Sequence, residues 1–140
     1  GGMSVSVQEM AAIHRATFSN DRAWGETEFS QLCADPMVQR CGDAKSFLMT
    51  RKVLDEVEVL TLATHPKFQR QGLARIVLQT FITDCANDKV ASIFLEVAVD
   101  NFAAISLYHS FGFAEVGVRK AYYQRADDSK VDARVLRLEL

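Results

Sequence analysis

The sequence predicts a mixed α/β fold in which helices cover the faces of a central sheet. Residues 91–99 form a short, nearly continuous apolar run, as expected of a strand buried on both faces. Leu136, Leu138 and Leu140 alternate with charged residues, which indicates a final half-buried strand. A helix that begins near Gly72 has a predicted buried stripe with three- and four-residue spacing, which comprises Leu73, Ile76, Val77, Thr80, Phe81 and Cys85.

The other elements are placed by their periodicity and by their end signals. Asparagine is a favoured N-cap, and glycine readily adopts the left-handed conformation that ends many helices. No strand is predicted before Ser46. In chain order, we predict helices over about 7–18 and 26–34, two strands within 46–64, the helix from 72, the strand over 91–99, a helix begun by Asn101 and ended by Gly112, and strands over 113–118 and 136–140.

Length and charge limit the possible classes of protein. The 140 residues have the length of one domain, which we expect to span 3–140, since two glycines before Met3 are typical of a cloning remnant. The net charge of -2 argues against direct nucleic-acid binding. No apolar stretch approaches the ~20 residues that cross a bilayer, so we expect no membrane association. The sequence leaves open whether the protein is a monomer or a dimer.

The cysteine pattern gives no sign of a metal site. Cys33, Cys41 and Cys85 are odd in number and lack metal-type spacing, and the three histidines do not cluster with them. We therefore expect no bound metal. Reduced thiols are typical of a cytoplasmic protein.

Residues 69–75, which precede the long helix, are suited to bind an anion. A helix start has about four backbone N–H groups without intrahelical partners and a partial positive charge. Gly72 permits close approach of a ligand to the backbone, and Arg70 and Arg75 add positive charge. A pyrophosphate fits such a turn, whereas the triphosphatase and dinucleotide fingerprints are absent. Taken alone, these residues could equally form a helix start with a tight turn.

The chain resembles the GNAT superfamily of N-acetyltransferases. Residues 69–74 match its pyrophosphate turn, Gln/Arg-x-x-Gly-x-Gly/Ala, in every specified position. Residues 94–113 are similar to the RimI-type branch, which acetylates the N-terminal amine of a ribosomal protein, and residues 24–29 and 119–123 resemble two further segments of that branch. The resemblance implies a GNAT fold with a mixed, mostly antiparallel central sheet flanked by about four helices. It also implies acetyl-CoA as co-substrate.

The resemblance further implies which residues bind the coenzyme. Backbone amides of residues 70–75 would hold the pyrophosphate, and residues 62–64 would pair with the pantetheine arm as if it were an added strand. Asn101 would lie near the thiol, although a plain helix cap is its alternative role. The implied coenzyme-binding residues are Leu62, Ala63, Thr64, Arg70, Gln71, Gly72, Leu73, Ala74, Arg75 and Asn101.

Glu96 and Tyr108 are the expected catalytic residues. Glu96 is the only charged residue in the run 91–99, where a carboxylate is unfavourable unless it is paired or hydrated. An acceptor ammonium must lose a proton before attack, and a departing thiolate benefits from gaining one. The resemblance implies Glu96 as the base and Tyr108 as the acid. Without the resemblance, Tyr108 would be a core aromatic residue; Glu56 and Glu58 are the alternative bases.

These inferences predict acetyl-CoA-dependent transfer to the N-terminal α-amine of a protein, directly and with a general base and acid. The alternatives are a small-molecule amine acetyltransferase and a non-catalytic acyl-CoA-binding module. The chain departs from the RimI-type pattern at Ala98, where arginine is usual, and at Gln124, where proline is common. Residues 35–52 also look short for the family's usual pair of strands. These departures lie near the expected acceptor side.

Overall fold

A computed structural model describes residues 5–17, 24–124 and 127–140 of the chain. Its elements are a mixture of helices and strands, as expected of a mixed α/β fold. In chain order they are α1 (Val7–Thr17), α2 (Glu26–Ala34), β1 (Val38–Gly42), β2 (Ser46–Val53), β3 (Glu56–Thr64), a 3-10 turn (Pro66–Phe68), α3 (Leu73–Asn87), β4 (Ser92–Ala98), α4 (Phe102–Ser110), β5 (Ala114–Gln124) and β6 (Lys130–Glu139).

The six strands form one sheet in the order β1-β2-β3-β4-β6-β5. Only the central pair, β3 and β4, runs parallel, and every other pair in this sheet is antiparallel. The mixed, mostly antiparallel sheet with four helices is therefore confirmed. No helix within the described ranges is long and apolar enough to span a membrane.

Helices pack on both faces of the sheet and form two separate apolar clusters. One cluster lies on the α3 and α4 face and includes Leu78, Leu95 and Tyr108. The other lies on the α1 and α2 face and includes Met10 and Phe29. Ile93, Leu95 and Val97 of β4 all belong to the α3 and α4 cluster, so Glu96 between them faces the opposite side of the sheet.

The structure corrects the prediction for the segment before Ser46. Residues 38–42 form β1, which pairs with β2 from Val38↔Arg51 to Gly42↔Phe47. The segment 35–52, which looks short for the family's usual pair of strands, thus contains β1 and nearly all of β2. β1 is an edge strand whose side chains are exposed or half-buried, so it lacks the apolar alternation that reveals a strand.

The predicted buried stripe of α3 is partly wrong. Leu78, Phe81 and Cys85 are buried, but Ile76 is 60% exposed and Thr80 is also exposed. The helix has apolar residues at more positions than one face can hold, so periodicity alone does not fix which face packs. The sheet selects the face centred on Leu78.

The last two strands are longer than predicted. β5 extends from Ala114 to Gln124 instead of ending at 118, and β6 begins at Lys130 instead of 136. Their added lengths contain polar residues and a bulge, which conceal a period of two.

Candidate active site

The parallel strands β3 and β4 separate at one end. Their register runs from Glu56↔Ser92 to Val59↔Leu95 and stops there. On its other side, β3 remains paired with β2 as far as Ser46↔Thr64. Within the described part of the chain, no residue of β4 pairs with residues 60–64 of β3. These residues therefore present backbone groups to an opening between the strands.

A β-bulge in β3 coincides with the separation. Thr50 pairs with Val59 and Met49 pairs with Thr61, so Leu60 is the extra residue. A bulge bends its strand and increases the local twist. It also reverses which sheet face the odd-numbered side chains of β3 occupy. Val59 belongs to the α3 and α4 cluster, whereas Ala63 belongs to the α1 and α2 cluster. The bulge thus accounts for β3 turning away from β4.

At the opposite end, side chains tie the parallel pair together. Ser92 Oγ donates to Glu56 Oε2 at 3.0 Å, and Arg137 Nη2 donates to Ser92 Oγ at 2.8 Å. Arg137 also forms a salt bridge with Glu56. The hydrogen bond from Arg137 lowers the pKa of Glu56. Glu56, one of the alternative bases, is therefore held at the closed end of the pair, away from the opening.

The predicted anion-binding turn follows the open end of β3. Gly72 is the N-cap of α3 with a left-handed φ of +77°, and Arg70 is also left-handed at +64°. The first helical bond runs from the N–H of Ile76 to Gly72 O at 3.1 Å, which leaves the amides before it without an intrahelical partner. Arg70, Gln71, Gly72 and Arg75 are exposed, whereas Leu73 and Ala74 are half-buried.

Arg75 contributes to the turn through its backbone more than through its charge. Its Nη2 donates to Ser110 Oγ at 3.0 Å, and its guanidinium carbon lies 5.1 Å from the Phe111 ring centroid. The side chain thus joins α3 to the end of α4. A role of Arg75 at an anion stays a prediction, and its amide lies in the first turn of α3.

Residues 62–64 line the opening, as the pantetheine prediction requires. Leu62 packs against the α3 and α4 cluster, and Ala63 is 1% exposed. Thr64 Oγ1 lies 3.0 Å from Ser46 Oγ, which holds the end of β3 on β2. Pairing of these residues with an extended ligand stays a prediction.

Asn101 begins α4 directly after β4. Its Oδ1 accepts the Ala104 N–H at 3.3 Å, so the predicted N-cap role is confirmed. Its own N–H donates to Ala98 O at 3.0 Å, which fixes it at the open end of β4. A contact with the coenzyme stays a prediction.

Glu96 is the first residue of β4 beyond the last pair with β3. Its side chain is 15% exposed, and its Oε1 accepts a hydrogen bond from Arg119 Nη1 at 2.7 Å. Burial and the charge of Glu96 raise the pKa of Tyr122. The guanidinium carbon of Arg119 lies 4.1 Å from the Tyr122 ring centroid. The carboxylate is therefore held from β5 by Arg119, which itself lies against the Tyr122 ring.

Glu58 shares the sheet face of Glu96. It pairs in register with Phe94, two residues before Glu96. Burial raises the pKa of Glu58, and the charge of Glu96 raises it further, while Arg51 lowers it. The nearest Arg51 nitrogen is 4.0 Å from Glu58 Oε1. Of the two alternative bases, Glu58 is thus the one that lies nearer to the opening.

Tyr108 lies on the other face of the sheet. It is buried in the α3 and α4 cluster, which also contains Leu95 and Val97. Gly112 ends the helix with φ +97°, and the Phe113 N–H donates to Tyr108 O at 3.2 Å. The Tyr108 and Phe113 rings meet edge to face at 5.3 Å, which is the apolar contact typical of this helix end. The predicted left-handed end is confirmed, and it fixes the Tyr108 ring.

An aromatic group joins α1 to α2 on the face of Glu96. The Trp24 ring stacks on the His14 ring with centroids 4.9 Å apart, and the backbone N–H of Trp24 donates to His14 Nδ1 at 3.1 Å. Phe29 lies edge-on to His14 at 5.7 Å. Burial lowers the pKa of His14 from 6.5 to about 4. The neutral imidazole is thus part of the apolar packing between α1 and α2.

The sequence did not predict that Arg119, with Tyr122 against it, binds Glu96, although both residues belong to the family-like segment 119–123. Their meeting depends on β6 lying between β4 and β5, which local sequence does not reveal. Among the described residues, no group of three His, Cys, Asp or Glu side chains is arranged to hold a metal ion.

An extended donor bearing a phosphate would fit this arrangement, with its arm beside β3 and its anion at the start of α3. That is the site expected of an acyl-coenzyme A-dependent transferase. The acetyltransferase (GNAT) family model matches residues 42–113. The ribosomal protein bS18-alanine N-acetyltransferase of Escherichia coli (strain K12) is 34% identical over 134 residues, which cover 93% of this chain and 90% of that protein. The chain therefore belongs to the acetyltransferase (GNAT) family and is an N-acetyltransferase.

Solved structures agree with this assignment. The crystal structure of the ribosomal-protein-S18-alanine N-acetyltransferase from Escherichia coli aligns with a TM-score of 0.85 and 31% identity, covering 95% of this chain and 86% of that chain. Arabidopsis thaliana NAA60 in complex with acetyl-CoA has a TM-score of 0.84 at 16% identity, covering 96% of this chain and 93% of that one. The second likeness shows the fold alone.

Proposed function

We propose that this protein transfers the acetyl group of acetyl-CoA to the N-terminal α-amine of a protein. The observation that carries the proposal is the position of Glu96 at the point where β3 and β4 part. A similar protein from Escherichia coli is named for an alanine of ribosomal protein bS18. Alanine offers only its α-amine, so the comparison favours an N-terminal acceptor.

Acetyl-CoA would be held mainly by backbone. Residues 70–75 would direct their amides at the pyrophosphate, and residues 62–64 would pair with the pantetheine arm. NAA60, which has a similar fold, was solved in complex with acetyl-CoA. The acetyl group would then lie at the top of the opening, between Glu96 and the α4 side.

Glu96 would accept the proton that the acceptor loses. A chain α-amine has an unperturbed pKa of ~7.7–8.0, so its deprotonation near neutral pH is a modest demand that a carboxylate can meet through one water. The amine nitrogen forms a bond to the acetyl carbon, and the carbon–sulfur bond breaks. The ion pair with Arg119 fixes the orientation of the carboxylate, and the Tyr122 ring lies against that arginine.

Tyr108 would supply a proton to the departing thiolate from the other face. An unperturbed phenol has a pKa of ~10 and an unperturbed thiol a pKa of ~8.5, so proton transfer from the phenol to the thiolate is uphill by about 2 kcal/mol. The site must therefore stabilise the phenolate or pass the proton through water. Burial of Tyr108 beside Phe113 fixes the ring for this role.

We also infer a cytoplasmic location. Cys33, Cys41 and Cys85 are free thiols, as expected under reducing conditions.

A peptide panel tests the proposal. Peptides that begin with free alanine should be acetylated and release free thiol, whereas the same peptides with a blocked N-terminus and one internal lysine should not. Acetylation of small amines alone would favour a small-molecule enzyme. Stabilisation by acetyl-CoA without thiol release for any amine would indicate a binding module.

A further inference from the structure

β5 contains a wide bulge opposite one residue of β6. Arg119 pairs with Ala133 and Tyr123 pairs with Val131. Residues 120–122 of β5 therefore lie opposite the single residue Asp132. At this point β5 has two residues more than a regular antiparallel ladder with β6 would have.

The bulge determines what surrounds Glu96. On a regular strand, residues three apart point to opposite faces of the sheet. Arg119 and Tyr122 are three apart, yet Arg119 donates to Glu96 at 2.7 Å and its guanidinium carbon lies 4.1 Å from the Tyr122 ring centroid. The charge of Glu96 also raises the pKa of Tyr122. The extra residues of the bulge are what allow the two side chains to converge on one carboxylate.

Asp132 holds the bulge in place. Its Oδ1 accepts the N–H of Ala121 at 2.8 Å, and its Oδ2 lies 3.3 Å from Lys120 Nζ. Ala121 has a left-handed φ of +51°, a conformation that needs support from its surroundings. The carbonyl of Asp132 also accepts the N–H of Val99 at 3.0 Å. One residue thus joins the bulge to the chain just beyond β4.

The neighbours of Arg119 leave room for its side chain to cross the sheet. Arg119 is in register with Ala133, which is in register with Ala98. Both alanines are buried and carry only a methyl group. The guanidinium can therefore lie over β6 and reach Glu96 from a strand that is not adjacent to β4.

We propose that Asp132 is a positioning residue that, by accepting the Ala121 N–H, keeps the β5 bulge in the form that places Arg119 and Tyr122 on Glu96. The inference rests on the proposed function of Glu96 as base. Asp132 acts through the two side chains and touches neither substrate.

The test compares Asp132→Ala with Asp132→Asn. Alanine removes the acceptor for the Ala121 N–H. Asparagine keeps an Oδ1 that can accept this N–H and lacks only the negative charge that faces Lys120. With acetyl-CoA and a peptide that begins with free alanine, Asp132→Ala should lower kcat by on the order of tenfold to 100-fold, the size of a small misplacement of a catalytic group. KM for acetyl-CoA and Tm should change little. Asp132→Asn should remain within about threefold of the unmodified protein, as should Lys120→Ala, which removes only an exposed pair.

A double-mutant cycle separates positioning from general stability. In a protein that already carries Arg119→Ala and Tyr122→Phe, Asp132→Ala should cause little further loss of kcat, because the groups it positions are gone. Additive losses would overturn the inference, as would an equal loss in Asp132→Asn or an unchanged kcat in Asp132→Ala. If the unmodified protein transfers acetyl groups, such results overturn only the role of Asp132. Absence of transfer by the unmodified protein would overturn the proposed function as well.

Discussion

Glu96 and Tyr108 lie on opposite faces of the sheet. Tyr108 is buried in the cluster that contains Leu95 and Val97, the β4 neighbours of Glu96, whereas Glu96 points the other way and contacts Arg119. Under the proposed function, the two proton transfers of the reaction would be served from different sides. This relationship separates the expected effects of substitutions at the two residues.

Tyr108→Phe should lower kcat by on the order of 100-fold, within the range of general acid catalysis, and leave KM for acetyl-CoA unchanged. Tm should be preserved, because phenylalanine keeps the edge-to-face contact with Phe113. Steady-state kinetics and a thermal melt check both points. Tyr108→Leu serves as the packing control and should lower Tm. A fully active Tyr108→Phe would show that another group, such as water, protonates the thiolate.

Gly72→Glu should raise KM for acetyl-CoA by about tenfold or more, because it places negative charge at the helix start where the pyrophosphate would bind. Gly72→Ala is the matched control. Both substitutions are strained at φ +77°, yet an added Cβ meets nothing within 4 Å, so alanine adds strain without bulk or charge. Titration of each variant with CoA should show the larger loss for glutamate. Equal losses would contradict an anion site at this turn.

Glu56→Gln should reduce the loss of folding stability at acid pH and leave kcat unchanged. The pKa of Glu56 is lowered by Arg137, so its contribution to stability is present above the unfolded value of about 4.5 and is lost as pH falls through the folded value. Glu139→Gln is the control, since Glu139 is the 72% exposed partner of the same arginine. Melts between pH 3 and 7 should show the larger change for Glu56→Gln. A fall in kcat would mean that Glu56 acts at the site after all.

His14→Asn should flatten the acid side of the stability curve. Because burial lowers the pKa of His14 from 6.5 to about 4, the unfolded chain takes up a proton across that interval that the folded protein does not. Stability should therefore fall as pH decreases from about 6.5 to about 4, by roughly 3 kcal/mol in full. Asparagine can still accept the Trp24 N–H but does not titrate. Urea unfolding across this range measures the slope, and an unchanged slope in His14→Asn would contradict the assignment.

The sequence predicts the parts of the site that are local and misses those that are not. The turn at Gly72, the end at Gly112 and the unusual charge of Glu96 can each be recognised within a few residues. The bulge at Leu60 cannot, because Val57, Val59, Thr61 and Ala63 are all buried and the alternation looks unbroken. Only pairing with β2 shows that these residues change faces.

The same limit applies to the ion pair between Arg119 and Glu96. The two residues are 23 positions apart and belong to strands separated by β6. Charge patterns along the chain do not encode that strand order. The edge strand β1 was missed for a related reason, since an edge requires no continuous apolar face.

The central claim is that Glu96 is the base for an α-amine acceptor, and it is tested most directly by comparing Glu96→Gln with Glu58→Gln. The measurement is the rate of acetyl transfer to a peptide that begins with free alanine, together with the Kd for acetyl-CoA. Glu96→Gln should lose on the order of 10²-fold to 10⁴-fold in kcat with an unchanged Kd, and Glu58→Gln should lose less than about tenfold. A larger loss in Glu58→Gln, or a loss in Glu96→Gln that is explained by weaker coenzyme binding, would contradict the account.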